Sequence, residues 1–196
     1  MLMSCNEKDI SLIGFMGCGK SSVGKILASL LPDCHLIDLD TYIEEKQGKI
    51  IPEIFNEYGE AAFRRMEREA LEEIFSDPDR PRAILSLGGG TVTSGQCRQL
   101  IRRHTDCFYL RATTDTLLSN LEGHSEGRPM LNPTQPVEAQ STETSSEREA
   151  LRHRIESLMQ TRSPQYLATA HHIIDIDGLS FAQIAEAVED NILNIK

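Results

Sequence analysis

Short apolar runs alternate along the chain with segments whose apolar positions recur every three or four residues. Residues 10–13 follow a polar start and read as a strand, which ends in a glycine-rich turn from Gly14 to Ser21. Behind it Val23, Ile26, Leu27, Leu30 and Leu31 form one helical stripe, stopped by Pro32. Residues 36–39 make a second strand, and Thr41 with Glu44 three positions on has the capping-box pattern of another helix start. Pro52 suits a first helical turn, and Gly59 separates that helix from a longer one reaching about residue 75. After a loop at 76–81, residues 83–87 are a third strand that runs into Gly88, Gly89 and Gly90. A helix over 96–103, a strand over 107–110 and a helix over 113–121 follow. Residues 122–147 then offer almost nothing to bury, the composition of a mobile excursion. A helix from about Arg148 towards Arg162, a strand over 173–176 and a helix capped by Ser180 and Gln183 complete the chain. Five strands alternating with helices predict an α/β domain with a parallel sheet and helices on both faces, although the pattern leaves the strand order open.

A length of 196 residues fits a single domain with a substantial core. With 20 basic and 30 acidic residues the net charge is −10, which argues against nucleic acid or an anionic membrane as partner. An anionic ligand would need a local basic pocket. The five cysteines (Cys5, Cys18, Cys34, Cys97, Cys107) are scattered with no C-x-x-C pair, as in a reducing compartment. Glu7 precedes any apolar run, so no secretory leader is expected, and no stretch approaches the ~18–20 apolar residues of a membrane span. A soluble, cytoplasmic protein is expected.

The turn Gly14-x-x-x-x-Gly19-Lys20-Ser21 has the form of a phosphate-binding loop. Small residues let backbone N–H groups curl around phosphate oxygens, Lys20 brings positive charge to the β and γ phosphates, and the Ser21 hydroxyl can ligate Mg²⁺. The helix that starts there points its positive dipole end at the same anion. By composition alone such a match arises in under about 1% of chains this long, and here it falls between a strand and a helix. Cys18 lies where mainly the backbone is used, and its thiol is read as catalytically idle.

A phosphate-binding loop alone leaves switch GTPases, motor ATPases and small-molecule kinases open, but the N-K-x-D run of guanine specificity is absent. Asp38 and Asp40 follow the second strand, at the ligand edge of such sheets. One acid can support Mg²⁺ and the other accept a hydroxyl proton; the plainer alternative is that Asp40 caps the next helix. Arg64 and Glu67 are spaced as an i,i+3 pair, Phe55 and Phe63 suit a core, and three successive glycines suggest something approaching the chain closely. Arg128-Pro129 lies in the polar excursion, and Arg162-Ser-Pro164-Gln-Tyr166 reads locally as a helix end with a proline stop.

In order and spacing these motifs resemble shikimate kinase from about residue 10 to 195: the loop with Ser22 following, Asp38-x-Asp40, Phe63-Arg64, the glycines at 88–90, Arg128-Pro129 and Arg162-x-Pro164-x-Tyr166. The resemblance implies a P-loop NTPase fold, a three-layer α/β/α sandwich with a five-stranded parallel sheet. It implies one kinase domain over 1–196, with the phosphate loop at 14–22, substrate-binding helices over about 41–75 and a mobile lid over about 122–147. It further implies phosphoryl transfer from ATP to the 3-hydroxyl of shikimate, a step of aromatic amino-acid precursor synthesis, by a monomer. By the same resemblance Asp40 is the base at the reacting hydroxyl, with Lys20 and Arg128 completing the catalytic set. Gly17, Cys18, Gly19, Lys20, Ser21, Ser22 and Arg128 would hold the nucleotide, and Ser21 with Asp38 the Mg²⁺. Arg64 and Arg162 would grip the substrate carboxylate, with Gly89, Gly90, Phe55 and Phe63 around it and Glu67 orienting Arg64. Two departures stand out: the family's adenine-side arginines are missing both from residues 122–127 and from residues 175–178. A kinase for another hydroxy acid such as gluconate would keep the phosphate loop without needing Arg64, Gly89 and Arg162. A regulatory nucleotide binder would need neither Asp40 nor Arg128.

Overall fold

The computed structural model describes residues 8–121 and 143–194. Five strands, β1 (Asp9–Ile13), β2 (His35–Asp38), β3 (Ala83–Ser86), β4 (Thr105–Arg111) and β5 (His172–Asp175), form one sheet in the order β2-β3-β1-β4-β5. Every pairing is parallel. The helices are α1 (Lys20–Leu30), α2 (Leu39–Gln47), α3 (Ile51–Ser76), α4 (Gly95–His104), α5 (Thr114–Leu121), α6 (Glu143–Thr169) and α7 (Phe181–Asn194). This is the expected three-layer α/β/α sandwich.

Period-two alternation along the strands divides the core. Ile10 and Leu12 of β1, Ile84 of β3, Phe108 and Leu110 of β4 and Ile174 of β5 pack on one face with Val23 and Leu27 of α1, Leu117, Leu118 and Leu121 of α5 and Ile184 and Val188 of α7. Ala83, Leu85, Cys107 and Tyr109 point to the other face and meet Phe63, Leu71 and Ile74 of α3 and Cys97 and Ile101 of α4. The four described cysteines, Cys18, Cys34, Cys97 and Cys107, are all buried. No helix among the described residues is long and apolar enough to cross a membrane.

Three local expectations are corrected. Thr41 does not cap α2: the helix begins at Leu39 and is capped by Asp38, whose Oδ1 accepts from the N–H groups of Asp40 (3.2 Å) and Thr41 (3.4 Å). Asp38 therefore ends the strand while Asp40 rides in the first helical turn, and it is Asp38, not Asp40, that caps. Second, α6 does not stop near Arg162. It runs through Pro164 to Thr169, because Tyr166 beyond the proline is fully buried, stacks on Tyr109 with centroids 5.0 Å apart and donates its hydroxyl to the Gly89 carbonyl. Third, α6 begins at Glu143 rather than Arg148; a polar stretch carries no apolar stripe by which its first turns could be seen. The remainder of the expected lid, with Arg128 and Pro129, lies outside the described residues. Gly59 does break the helical path, with φ 76° and ψ 171° inside α3, and Ser180 and Gln183 do form the cap of α7.

Candidate functional site

The first three strands end on one edge of the sheet and are neighbours there, in the order β2-β3-β1. Each delivers one part of the site. The chain leaves β1 as the phosphate-binding loop, leaves β2 at Asp38 and Asp40, and leaves β3 at Gly88–Gly90. A cavity of about 640 Å³ opens between them, lined also by Phe55, Phe63, Arg64 and Glu67 of α3 and Arg162 of α6. It is the crevice beyond the carboxyl ends of the strands in which open α/β sheets take ligands.

In the loop, Gly14, Gly17 and Gly19 have φ of 149°, 84° and 90°, a backbone path that side chains resist. The path turns the chain sharply into α1, whose first residue is Lys20. The Lys20 ammonium donates to the carbonyls of Gly14 (2.9 Å) and Phe15 (3.2 Å), which bridges the loop across its mouth. Ser21 Oγ donates to Asp38 Oδ2 at 2.6 Å and lies 3.2 Å from Ser86 Oγ, and Asp38 and Ser86 share one rung of the β2–β3 ladder. A hydroxyl and a carboxylate thus stand together beside the helix N-terminus, oxygen donors of the kind Mg²⁺ prefers. Cys18 is the one described residue of the expected set that does not line the cavity: its side chain is fully buried and its N–H donates to the Phe15 carbonyl at 3.2 Å.

Asp40 titrates at about 6, raised by burial first and then by the charges of Glu67 and Asp38, with Lys20 pulling the other way. A carboxyl so placed is ionised at neutral pH yet basic enough to take a proton. Gly88 explains how the two acids come close: a Cβ there would lie 2.8 Å from Glu67 Oε1 and 2.9 Å from Asp40 Oδ1. Gly90 has an analogous reason, since its Cβ would collide with the Arg64 guanidinium, and a Cβ on Gly89 would press the loop N–H of Met16 at 3.1 Å.

Arg64 Nη1 donates to Glu67 at 2.6 Å, and Glu67, completely buried, also receives the Thr91 hydroxyl. Burial raises the Glu67 carboxyl above its usual range, against the pull of Arg64 and Thr91. Burial likewise opposes the Arg64 charge, but Glu67 and Glu60 outweigh it and hold the guanidinium above its ordinary pKa. Arg162, only 4% exposed, reaches the Gly89 carbonyl at 3.5 Å and lies 6.0 Å from the Phe15 ring centroid. Phe55 and Phe63 stand 4.8 Å apart and wall the cavity, with Arg64 5.5 Å from the Phe63 ring.

The sequence reading missed several lining residues. Asn120 of α5 donates to the Gly17 carbonyl at 3.0 Å, and the ring of Phe181, first residue of α7, lies directly over Gly19. Both sit in ordinary amphipathic helices, and only the tertiary fold brings them to the phosphate loop. Thr91, which holds Glu67, was equally silent in the sequence, and Tyr166 was read only as part of a motif, not as the residue that holds Gly89.

A family model described as shikimate kinase matches residues 16–193. A curated shikimate kinase of Thermus thermophilus is 34% identical over 183 residues, covering 93% of this chain and 89% of that protein. That of Chlorobaculum tepidum is 40% identical over 158 residues, 81% of this chain and 76% of that one. Among solved structures, a shikimate kinase of Acinetobacter baumannii in complex with shikimate superposes with a TM-score of 0.80 at 29% identity, covering 97% of this chain and 95% of its own. The fold, the phosphate loop and these matches agree that the chain belongs to the shikimate kinase family.

Proposed function

We propose that the chain phosphorylates the 3-hydroxyl of shikimate with ATP, and that the residues around the cavity divide the work as follows. The observation that carries the assignment is the convergence of a phosphate loop, a carboxylate titrating at about 6 and two arginines on one cavity of about 640 Å³. Loop N–H groups and the N-terminus of α1 cradle the β and γ phosphates, with Ser22 beside them, and Lys20 turns from the Gly14 and Phe15 carbonyls to the phosphate oxygens. Ser21 and Asp38 are the residues that would hold Mg²⁺, which when bound neutralises phosphate charge. Arg64 and Arg162 clamp the shikimate carboxylate, and Phe55 and Phe63 exclude water from the ring.

Asp40 accepts a hydrogen bond from the 3-hydroxyl and orients its oxygen at the γ phosphorus. As the new O–P bond forms and the bond to the bridging oxygen of ADP breaks, the hydroxyl proton passes to Asp40. Because phosphoryl transfer is loose, positioning precedes that proton transfer. Arg128 would meet the transferring phosphoryl group from the lid. With the adenine-side arginines missing, Phe181 supplies an aromatic face and Asn120 a polar edge for the base, next to Gly19 and Gly17. We propose that the chain acts as a monomer in the cytoplasm.

An assay coupled to ADP release, with Mg·ATP and shikimate, gluconate, quinate or no acceptor, tests the reading. Strong turnover is expected with shikimate alone. Turnover with gluconate instead would sink the carboxylate clamp while sparing the phosphate loop. ADP release indifferent to acceptor would point to a nucleotide-binding regulator.

A further inference from the structure

The Arg64 guanidinium is engaged on two of its edges by carboxylates of its own helix. Glu67 takes Nη1 at 2.6 Å. Glu60 takes the other edge, with its Oε1 accepting from both Nε (3.3 Å) and Nη2 (3.0 Å). The two acids differ in kind. Glu67 is sealed in the core and pinned by Thr91, whereas the Glu60 side chain is 48% exposed. Arg64 itself is 16% exposed in its side chain, so its charge needs an anion on the open edge.

Resting on the reading of Arg64 as a shikimate-carboxylate ligand, we propose that Glu60 is an internal competitor for that carboxylate: it fills the Nε–Nη2 fork and swings out when substrate takes its place. A planar guanidinium edge is the natural bidentate partner of a carboxylate, and the fork that Glu60 holds is such an edge. Gly90 packs against the same guanidinium, nearest Nη2, and leaves no room for even a methyl group there. The local sequence favours the arrangement. Gly59, with φ 76° and ψ 171°, interrupts α3 and makes Glu60 the first residue of the continuing helix, where a carboxylate is stabilised by the dipole. From there it reaches Arg64 four residues on, in the favourable acid-before-base order.

The exchange makes electrostatic sense. The acids that line the cavity, Asp38, Asp40 and Glu67, match its bases Lys20, Arg64 and Arg162 in number. Glu60 adds a further negative charge on Arg64, so a substrate carboxylate that arrives while Glu60 stays paired meets an excess of negative charge at that guanidinium. If Glu60 rotates into water it regains hydration at small cost, and Arg64 keeps a carboxylate partner throughout. Glu60 thereby holds the guanidinium in its working position between turnovers and weakens shikimate binding by the strength of its own pairing.

Steady-state kinetics of the full chain with E60Q test this. The shikimate KM is expected to fall about two- to fivefold, the scale of a partly exposed ion pair, while kcat moves less than KM and the ATP KM less still. A KM unchanged by E60Q would reduce Glu60 to a surface ion pair, and a raised KM would make it a positioning residue for Arg64; either overturns the proposal. A lowered KM cannot arise from misfolding. Arg64→Lys, or Arg64→Gln should the lysine variant fail to fold, is measured alongside and is expected to raise the shikimate KM. If that KM stays put, the carboxylate clamp itself fails, a result distinct from failure of the competition.

Discussion

Asp40 carries an electrostatic cost with a definite sign. Its carboxyl titrates near 6 instead of 3.8, chiefly through burial beside Glu67 and Asp38. The folded state therefore binds its proton more tightly than the unfolded chain does. No penalty exists below about pH 4, one builds as pH rises through 6, and above that it is at most on the order of 3 kcal/mol. Asp40→Asn is accordingly expected to stabilise the fold at pH 8, with the gain fading by pH 4, in paired urea denaturation curves. The same variant is expected to lose about 10²- to 10⁴-fold in kcat, the range for a general base. In the unaltered enzyme, kcat/KM for shikimate should fall about tenfold per pH unit below 6. An Asn variant that is both slow and less stable at pH 8 would mean the carboxylate is satisfied where it sits, contrary to the strained reading. The place of this residue was legible in the sequence, since D-x-D after a strand puts it at the ligand edge, whereas its proposed role as base came from the family resemblance alone. Its neighbour's role was only half legible: Asp38 was seen beside Ser21 but not as the cap of α2, because Thr41 offered the more familiar capping pattern.

At the scale of elements, α3 is two helical pieces joined at Gly59. The first carries Phe55 and the second carries Glu60, Phe63, Arg64 and Glu67, so the angle between them sets the width of the substrate end of the cavity. A Cβ on Gly59 would meet nothing within 4 Å, yet its φ of 76° with ψ of 171° is open essentially to glycine alone. Gly59→Ala is thus a test of backbone strain without steric clash. A loss of about 1–3 kcal/mol is expected, together with a rise in shikimate KM larger than any fall in kcat. An alanine variant that melts like the parent would show that the two pieces tolerate another joint. Helix periodicity made this element visible, and Gly59 was marked as its divider. The extension of α6 past Pro164 was hidden because the proline signal is local, whereas Tyr166, buried against Tyr109 and bonded to Gly89, acts through residues distant in the sequence. The same reason hid Asn120 and Phe181.

On the scale of the whole molecule, a chain with net charge −10 gathers Lys20, Arg64 and Arg162 around one cavity at an edge of its sheet, where the proposed function has them meet two anionic ligands. Arg162 is the most telling of these, since it comes from α6, late in the chain, and packs between Gly89, which follows β3, and Phe15, which follows β1. If Arg162 grips the carboxylate as proposed, ligand binding is coupled to the assembly of three distant segments. Ligand that binds only the folded state stabilises it by about 2.7 kcal/mol at one hundred times its Kd, which for a domain of this size raises Tm by about 5–10 °C. Loss of charge-assisted bonds from Arg162 weakens binding about 10- to 100-fold. At the same shikimate concentration Arg162→Ala should then retain only about 0.4–1.4 kcal/mol, a rise of roughly 1–5 °C. Each protein is compared with its own ligand-free melt, so whatever the buried arginine contributes to packing cancels. Equal shifts in parent and variant would remove Arg162 from the carboxylate clamp and leave α6 a purely structural helix. A shift lost in Arg162→Ala but kept in Asp40→Asn would separate the groups that bind shikimate from the group that reacts with it.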